Sequence, residues 1–304
     1  GNVVNPAPAA ATQTEPVGWG QRVLVPVANP NTEQSLLNLA LLLTQSAQGT
    51  LLPLNVLRDR GQGIPAAEQV RQNQLLSVAE SLAHAAVTKV ERIARVDNSI
   101  EQGIVHAVYE HQPSLVVVGW KGYSSYTENL FGGIIDRVLQ RAGVPILVTR
   151  LMQPLEATQR ILFAVPEGVA HTPRVIAALD LAHTLATELK APLQILLSET
   201  RQLTPINFGL PNGESVSCLR RPGSLVNEVV KAYQPGDLLV LLPGIRTTPL
   251  GRPTMGNAPE TVARIKTEAS IAVLYLPPAY YGFGELVTDP DEATTEILEP
   301  EASE

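Results

Sequence analysis

Short apolar runs alternate with segments whose apolar residues recur at helical spacing. QRVLVPV opens a buried strand (Val23 to Val27), and TEQSLLNLALLLTQSAQG reads as a helix closing at Gly49. LLPLNVL is a second strand. Pro65 to Ala86 is a long helix with Leu75, Leu76, Ala79, Leu82, Ala83 and Ala86 on one face. TKVERIARV predicts a more polar strand, nearer a sheet edge. Ser99 and Gln102 form a capping box, and Ile100, Ile104, Val105 and Val108 follow at helical spacing. A wholly apolar LVVV strand leads to a glycine-containing loop, a helix from Gly133 to Arg141, and a closing strand, PILVT.

Strands alternating with helices imply a parallel sheet covered on both faces, and strands apolar throughout agree with burial on both sides. The pattern then restarts. RILFAVP echoes RVLVPV, PLQILL answers LLPLNVL, DLLVLL answers SLVVV, and SIAVLYL answers VPILVT. Thr172-Pro173 starts a helix running to Lys190, and Ser224 reads as the cap of another. The chain is thus a weak tandem repeat with a period of about 130 to 140 residues. The second copy is degraded: RQLTPINFGLPNGE stands where the first has its long helix. The expected organisation is a flexible tether over 1–20, a first domain over 21–153, a degenerate second over 159–278, and an acidic, disordered tail over 279–304.

Composition narrows the function. Among 304 residues, 44% are hydrophobic, enough to build cores, and no apolar run reaches the roughly 18 to 20 residues of a membrane helix. The expectation is a cytoplasmic segment without direct membrane insertion. The single cysteine, Cys218, excludes an internal disulfide and is read as a small buried hydrophobe. The net charge of −7 resides in the tail: eight acids stand between Glu285 and Glu304 with no Lys or Arg, and −7 + 8 leaves +1 for the rest. Nucleic-acid binding would need a basic face, so no nucleic-acid partner is expected. Gly1 in place of methionine suggests a piece of a longer protein. His106 and His111 lie five apart, outside the i, i+4 register of a helical zinc pair, so no metal site is expected.

Gly119, Gly122, Gly132 and Gly133 raise the chemical question. Ligands of open parallel sheets bind beyond the carboxyl ends of the strands, where the loop after LVVV lies. Glycines there let backbone approach a ligand, Lys121 adds a charge, and the following helix start favours an anion. The alternative is a tight strand exit and helix start with no ligand at all.

Gly119-x-x-Gly122, nine residues, then Gly132 resembles the G-2x-G-9x-G-[Ser/Thr] signature of the universal stress protein family. VVVG before it and FGGIIDRVLQRAGVPILVTR after it are similar to that family's closing elements. The resemblance spans 21–150, and 159–278 more faintly. It implies an α/β fold: two open parallel five-stranded sheets with helices on both faces, in tandem, of the adenine nucleotide alpha hydrolase-like type. It further implies pairing of PILVT with SIAVLYL as an internal pseudo-dimer, leaving two chains free to associate as a homodimer. LVPVANP and LFGGIIDRVL also resemble the cytosolic tails of bacterial cation/proton (sodium/hydrogen) antiporters. A membrane antiporter domain in the same parent chain is therefore the expected partner.

The family's ligands, ATP or AMP, would set their phosphates on Gly119, Lys121, Gly122, Gly132, Gly133 and Ile134, with the adenosine side at Pro26, Val27, Ala28 and Val56. The departures are specific. Ala28 stands where ATP-binding members carry an acid, and Gly133 and Ile135 stand where they carry hydroxyls. Each lost hydrogen bond is worth about 0.5 to 1.5 kcal/mol. The resulting expectation is a non-catalytic regulatory or sensor module with no obligatory cofactor. Its rivals are a structural scaffold with vestigial pockets and a slow ATPase, the latter opposed by the absence of any residue to orient a water. In the second copy, Gly244, Gly251 and Gly256 miss the signature spacing, and Arg246 and Arg252 are its basic candidates.

Overall fold

The computed structural model describes residues 18–28, 30–120, 133–200, 208, 216–247 and 253–281. The first half runs β1 (Arg22–Pro26), α1 (Pro30–Ser46), β2 (Thr50–Arg58), α2 (Ala66–Ala85), β3 (Lys89–Val90), β4 (Ile93–Asp97), α3 (Ile100–His111), β5 (Leu115–Gly119), α4 (Gly133–Arg141) and β6 (Ile146–Arg150). The second runs β7 (Arg160–Pro166), α5 (Pro173–Leu189), β8 (Leu193–Ser198), β9 (Ser217–Arg221), α6 (Leu225–Ala232), β10 (Asp237–Leu241), β11 (Ile245–Thr247), β12 (Pro253–Met255), α7 (Ala258–Ile265) and β13 (Ser270–Tyr275).

The helix signals act as their chemistry requires. Ser99 Oγ accepts from Gln102 N at 3.3 Å to open α3, and Thr172 Oγ1 accepts from Val175 N at 3.4 Å to open α5, with Pro173 in its first turn. Ser224 has the extended backbone of a cap but makes no side-chain cap bond. The polar strand expected over TKVERIARV is split: β3 and β4 are separate short strands that both pair with β2. The glycine-rich stretch of the second half contains an antiparallel hairpin, β11·β12, that the sequence reading missed.

Each half is a parallel sheet, and the two are one sheet rather than two. Among the described residues eleven strands join in the order β3-β2-β1-β5-β6-β13-β10-β7-β8-β9, with β4 beside β2. The seam is antiparallel: Val148 faces Val273, and Arg150 faces Ile271. One core covers the face that carries α1, α2 and α5, the other the face that carries α3, α4, α6 and α7. Arg150 crosses the seam, 8% exposed, and its guanidinium donates to the Ala263, Lys266 and Ala269 carbonyls at the end of α7. Trp19, which the sequence assigned to the tether, is 5% exposed and donates from Nε1 to Asp180 Oδ2 of α5 at 2.8 Å.

Candidate functional site

The chain leaves β1 toward β2 on one side and returns to β5 on the other, so the carboxyl ends of β1 and β5 border a crevice where the winding reverses. Pro26 ends β1. Val27 is buried, its N–H donating to Leu54 O at 2.8 Å, and Ala28 is exposed. Gly119 ends β5, exposed, and Gly133 is the first residue of α4 with Ile134 exposed beside it. The fold therefore gathers Pro26, Val27, Ala28 and Gly119 around one mouth. Val56 stands one strand further out, its side chain packed in the core on the α3 face. Lys121, Gly122, Gly132 and the Tyr123–Tyr126 cluster lie outside the described residues.

Two groups at this mouth escaped the sequence reading. The first is Arg137, in α4. Its Nη1 lies 3.3 Å from where a Cβ on Gly133 would stand, so the absence of a side chain at 133 lets the guanidinium fold back over the helix N-terminus. Arg137 Nε pairs with Glu101 Oε1 of α3 at 3.0 Å. Burial pushes the Glu101 carboxyl up, but its own backbone N–H, the Arg137 charge and the Ser99 hydroxyl hold it below the usual range. The N–H groups of a helix's first turn and a guanidinium together suit an anion. The signal was present: residues four apart share a helix face.

The second is Glu33, in the first turn of α1. It is 4% exposed, and its Oε1 has no hydrogen-bond partner. Burial raises its pKa. One turn further along the helix, Leu36 Cδ1 lies 3.1 Å from where a Cβ on Gly119 would be, which places this face of α1 against the end of β5. Nearby on the same face of the sheet, Asn55 Nδ2 donates to Val27 O at 2.7 Å while Oδ1 is unpartnered, and Gln72 Nε2 donates to Asn55 O at 2.9 Å. Neither Glu33 nor Asn55 stands out in sequence, because only tertiary packing buries them.

The corresponding mouth of the second half is closed by its own groups. Arg174, 5% exposed, donates to Pro243 O at 2.6 Å just past β10, and Gly256 N donates to Gly244 O at 2.8 Å. Glu167, after β7, lies 3.7 Å from Arg220 of β9. Arg252 and the Arg246 side chain lie outside the described residues. Cys218 is exposed, which corrects its reading as a buried hydrophobe: it lies in β9, the end strand of the sheet. Of the histidines, His106 pairs with Asp97 at 2.6 Å and His111 with Glu91 at 3.0 Å. Among the described residues no cluster of three or more His, Cys, Asp or Glu could hold a metal ion, and no helix is long and apolar enough to cross a membrane.

Comparison with known proteins bears on the fold. The universal stress protein family model matches residues 20–150. The Na(+)/H(+) antiporter NhaS5 of Synechocystis sp. is 28% identical over 184 residues, which are 58% of this chain and 26% of that protein. The match thus covers about a quarter of that relative's length. Among solved structures, a putative universal stress protein from Pseudomonas aeruginosa UCBPP-PA14 superposes with a TM-score of 0.60 at 17% identity, covering 87% of this chain and 96% of its own. A universal stress protein from Archaeoglobus fulgidus gives 0.57 at 15%, covering 86% and 98%. The cytoplasmic domain of a prokaryotic cation chloride cotransporter gives 0.53 at 12%, covering 85% and 96%. These likenesses extend the fold across both halves.

Proposed function

We propose, for a chain whose residues 20–150 match the universal stress protein family model, a non-catalytic regulatory module that binds an adenine nucleotide or a related anion and acts on a cation/proton antiporter. The carrying observation is the Arg137 guanidinium beside the Gly133 start of α4, the helix next described after β5 and its terminal Gly119. Phosphate would lie against Gly119, Lys121, Gly122, Gly132, Gly133 and Ile134, with the nucleoside toward Pro26, Val27 and Ala28. The relation to NhaS5 supports an antiporter membrane domain as partner in the same parent chain, with this module on the cytosolic face.

A route from ligand to partner follows from the elements. Phosphate competes with Glu101 for Arg137, which loosens the ion pair between α3 and α4. α4 leads directly into β6, the seam strand. A ligand shifts such an equilibrium only through unequal affinity for two states, and exchange of Glu101 for phosphate supplies that inequality. Calorimetric titration with ATP, AMP and cyclic dinucleotides tests the reading. Arg137→Ala is expected to weaken binding about tenfold, the worth of one charged hydrogen bond. No heat and no thermal shift with any of them would remove the ligand-binding part. The scaffold reading would then hold, favoured by the continuous sheet and the Arg150 contacts that already fasten the halves together.

A further inference from the structure

The two helices that follow the first strand of each half are built on one burial pattern. Leu36, Leu37, Leu39, Ala40 and Leu43 of α1 are buried as Ala178, Leu179, Leu181, Ala182 and Leu185 of α5 are, at the same intervals. In that alignment Glu33 falls on Val175, which is wholly buried. A valine therefore satisfies the fold at this place. The first half puts a carboxyl there instead, with an oxygen that no group pairs, one helical turn, about 5 Å, from the residue that touches Gly119.

We infer that Glu33 is a proton gate on the anion site of the first half: ionised, its carboxylate repels a phosphate at the β1/β5 mouth, and protonated, it admits one. The inference rests on the anion-binding reading above. The step is uptake of one proton by the carboxylate, Glu33–COO⁻ to Glu33–COOH, with no other bond made or broken.

Among the described charged residues on α1 and the elements packed against it, Glu33 is the buried one with an unpartnered oxygen. α1 has no other charged residue, and β5 has none. Arg22 of β1 lies at the opposite end of the sheet, and Arg58 of β2 is exposed. From α2, Glu68, Arg71 and His84 are exposed and Glu80 pairs with Arg92. From α5, Arg174 donates to Pro243 O, Asp180 accepts from Trp19, His183 is half-buried, and Glu188 is exposed. Glu156, in the turn packed beside α1, is exposed. On the far face of the mouth, Asp136 is buried in α4 and Arg137 holds Glu101. Burial by itself pushes the Glu33 carboxyl upward, and no charged group among the described residues draws it back.

The test is calorimetric titration of the full chain and of Glu33→Gln with ATP at pH 7.5 and 4.5, the lower value being that of an ordinary glutamate carboxyl. Wild type is expected to bind about tenfold more tightly at the lower pH, the worth of removing one partly screened like charge. Glu33→Gln is expected to bind tightly at both. Glu33→Val, which imports the residue of the second half, is the control that keeps the fold. A variant whose affinity and pH profile match wild type overturns the gate while leaving the anion site standing. If wild type and both variants take up no ATP at either pH, the gate and the site fall together.

Discussion

Arg22 and Arg160 occupy the same place, the first residue of the first strand in each half, and they live in opposite surroundings. Arg22 is 39% exposed, donates from Nε to His111 O, and reaches Glu91 at 3.5 Å, itself 47% exposed. Arg160 is 16% exposed and grips the 2% exposed Asp237 through two bonds, with further donations to Ala232 O and Gln194. The same contrast recurs at the opposite end of the sheet. There the second half turns Arg174 onto its own Pro243 carbonyl, while the first leaves Glu33 unpaired and Arg137 partly exposed. A duplicated fold has divided its work. The second half uses its charges to hold itself and its neighbour, and the first keeps polar groups at its mouth.

The largest test of that division is a pair of identical substitutions. Arg160→Ala leaves Asp237 as a buried carboxylate without its cation and is expected to cost about 3 to 5 kcal/mol in urea unfolding. Arg22→Ala breaks a solvent-exposed pair and is expected to cost about 1 kcal/mol or less. Equal costs would mean that the two arginines do the same job.

Next comes the join between the halves. Arg150→Met keeps the volume but removes every donor from the Ala263, Lys266 and Ala269 carbonyls. The expected loss is about 2 to 3 kcal/mol, since buried acceptors are left unmet. Measured by amide exchange, protection should fall most in β13 and the end of α7. If protection falls evenly through the sheet instead, Arg150 is one contact among many rather than the fastening between units.

The alternation of apolar strands and helical segments made the architecture legible, since both faces of each parallel strand are covered and periodicity reports that directly. The restart at RILFAVP showed the duplication, and the resemblance to a known family implied the pairing of PILVT with SIAVLYL that β6 and β13 make. What stayed hidden depends on three-dimensional neighbours. TEQSLLNLALLL gives no hint that its glutamate faces inward, because an acid in a first helical turn is ordinarily a solvated dipole partner. Cys218 misled for the opposite reason: a strand-like sequence does not say where its strand stands in the sheet, and β9 stands at the end, with Cys218 exposed. The hairpin β11·β12 was masked by glycines and prolines, which punctuate turns without saying what lies between them. Arg137 also escaped the sequence reading, although its spacing of four from Gly133 puts the two on one helix face.

The smallest expected effect is the one with a distinctive pH signature. Glu33→Val gives the first half the residue of the second, so it should stabilise the chain by about 1 kcal/mol at neutral pH by removing an unpaired buried carboxyl. The sign of its pH dependence is fixed by linkage. Glu33 has a folded pKa raised above its unfolded value by burial, so between the two the folded chain holds more protons than the unfolded one. Its contribution to stability is intact below the ordinary carboxylate range and is lost as pH rises through the raised folded value. Asp97 and Glu101 run the other way. Burial pushes each up, but His106, the Asn98 N–H and Arg95 pull Asp97 below its usual range, as backbone, Arg137 and Ser99 do for Glu101. They lose stability as pH falls, and both are present in wild type and variant alike. Subtracting the two urea-unfolding curves therefore isolates Glu33. The advantage of Glu33→Val should be least in acid and widen toward neutral pH, and an advantage constant across that range would show that Glu33 carries no proton the unfolded chain lacks.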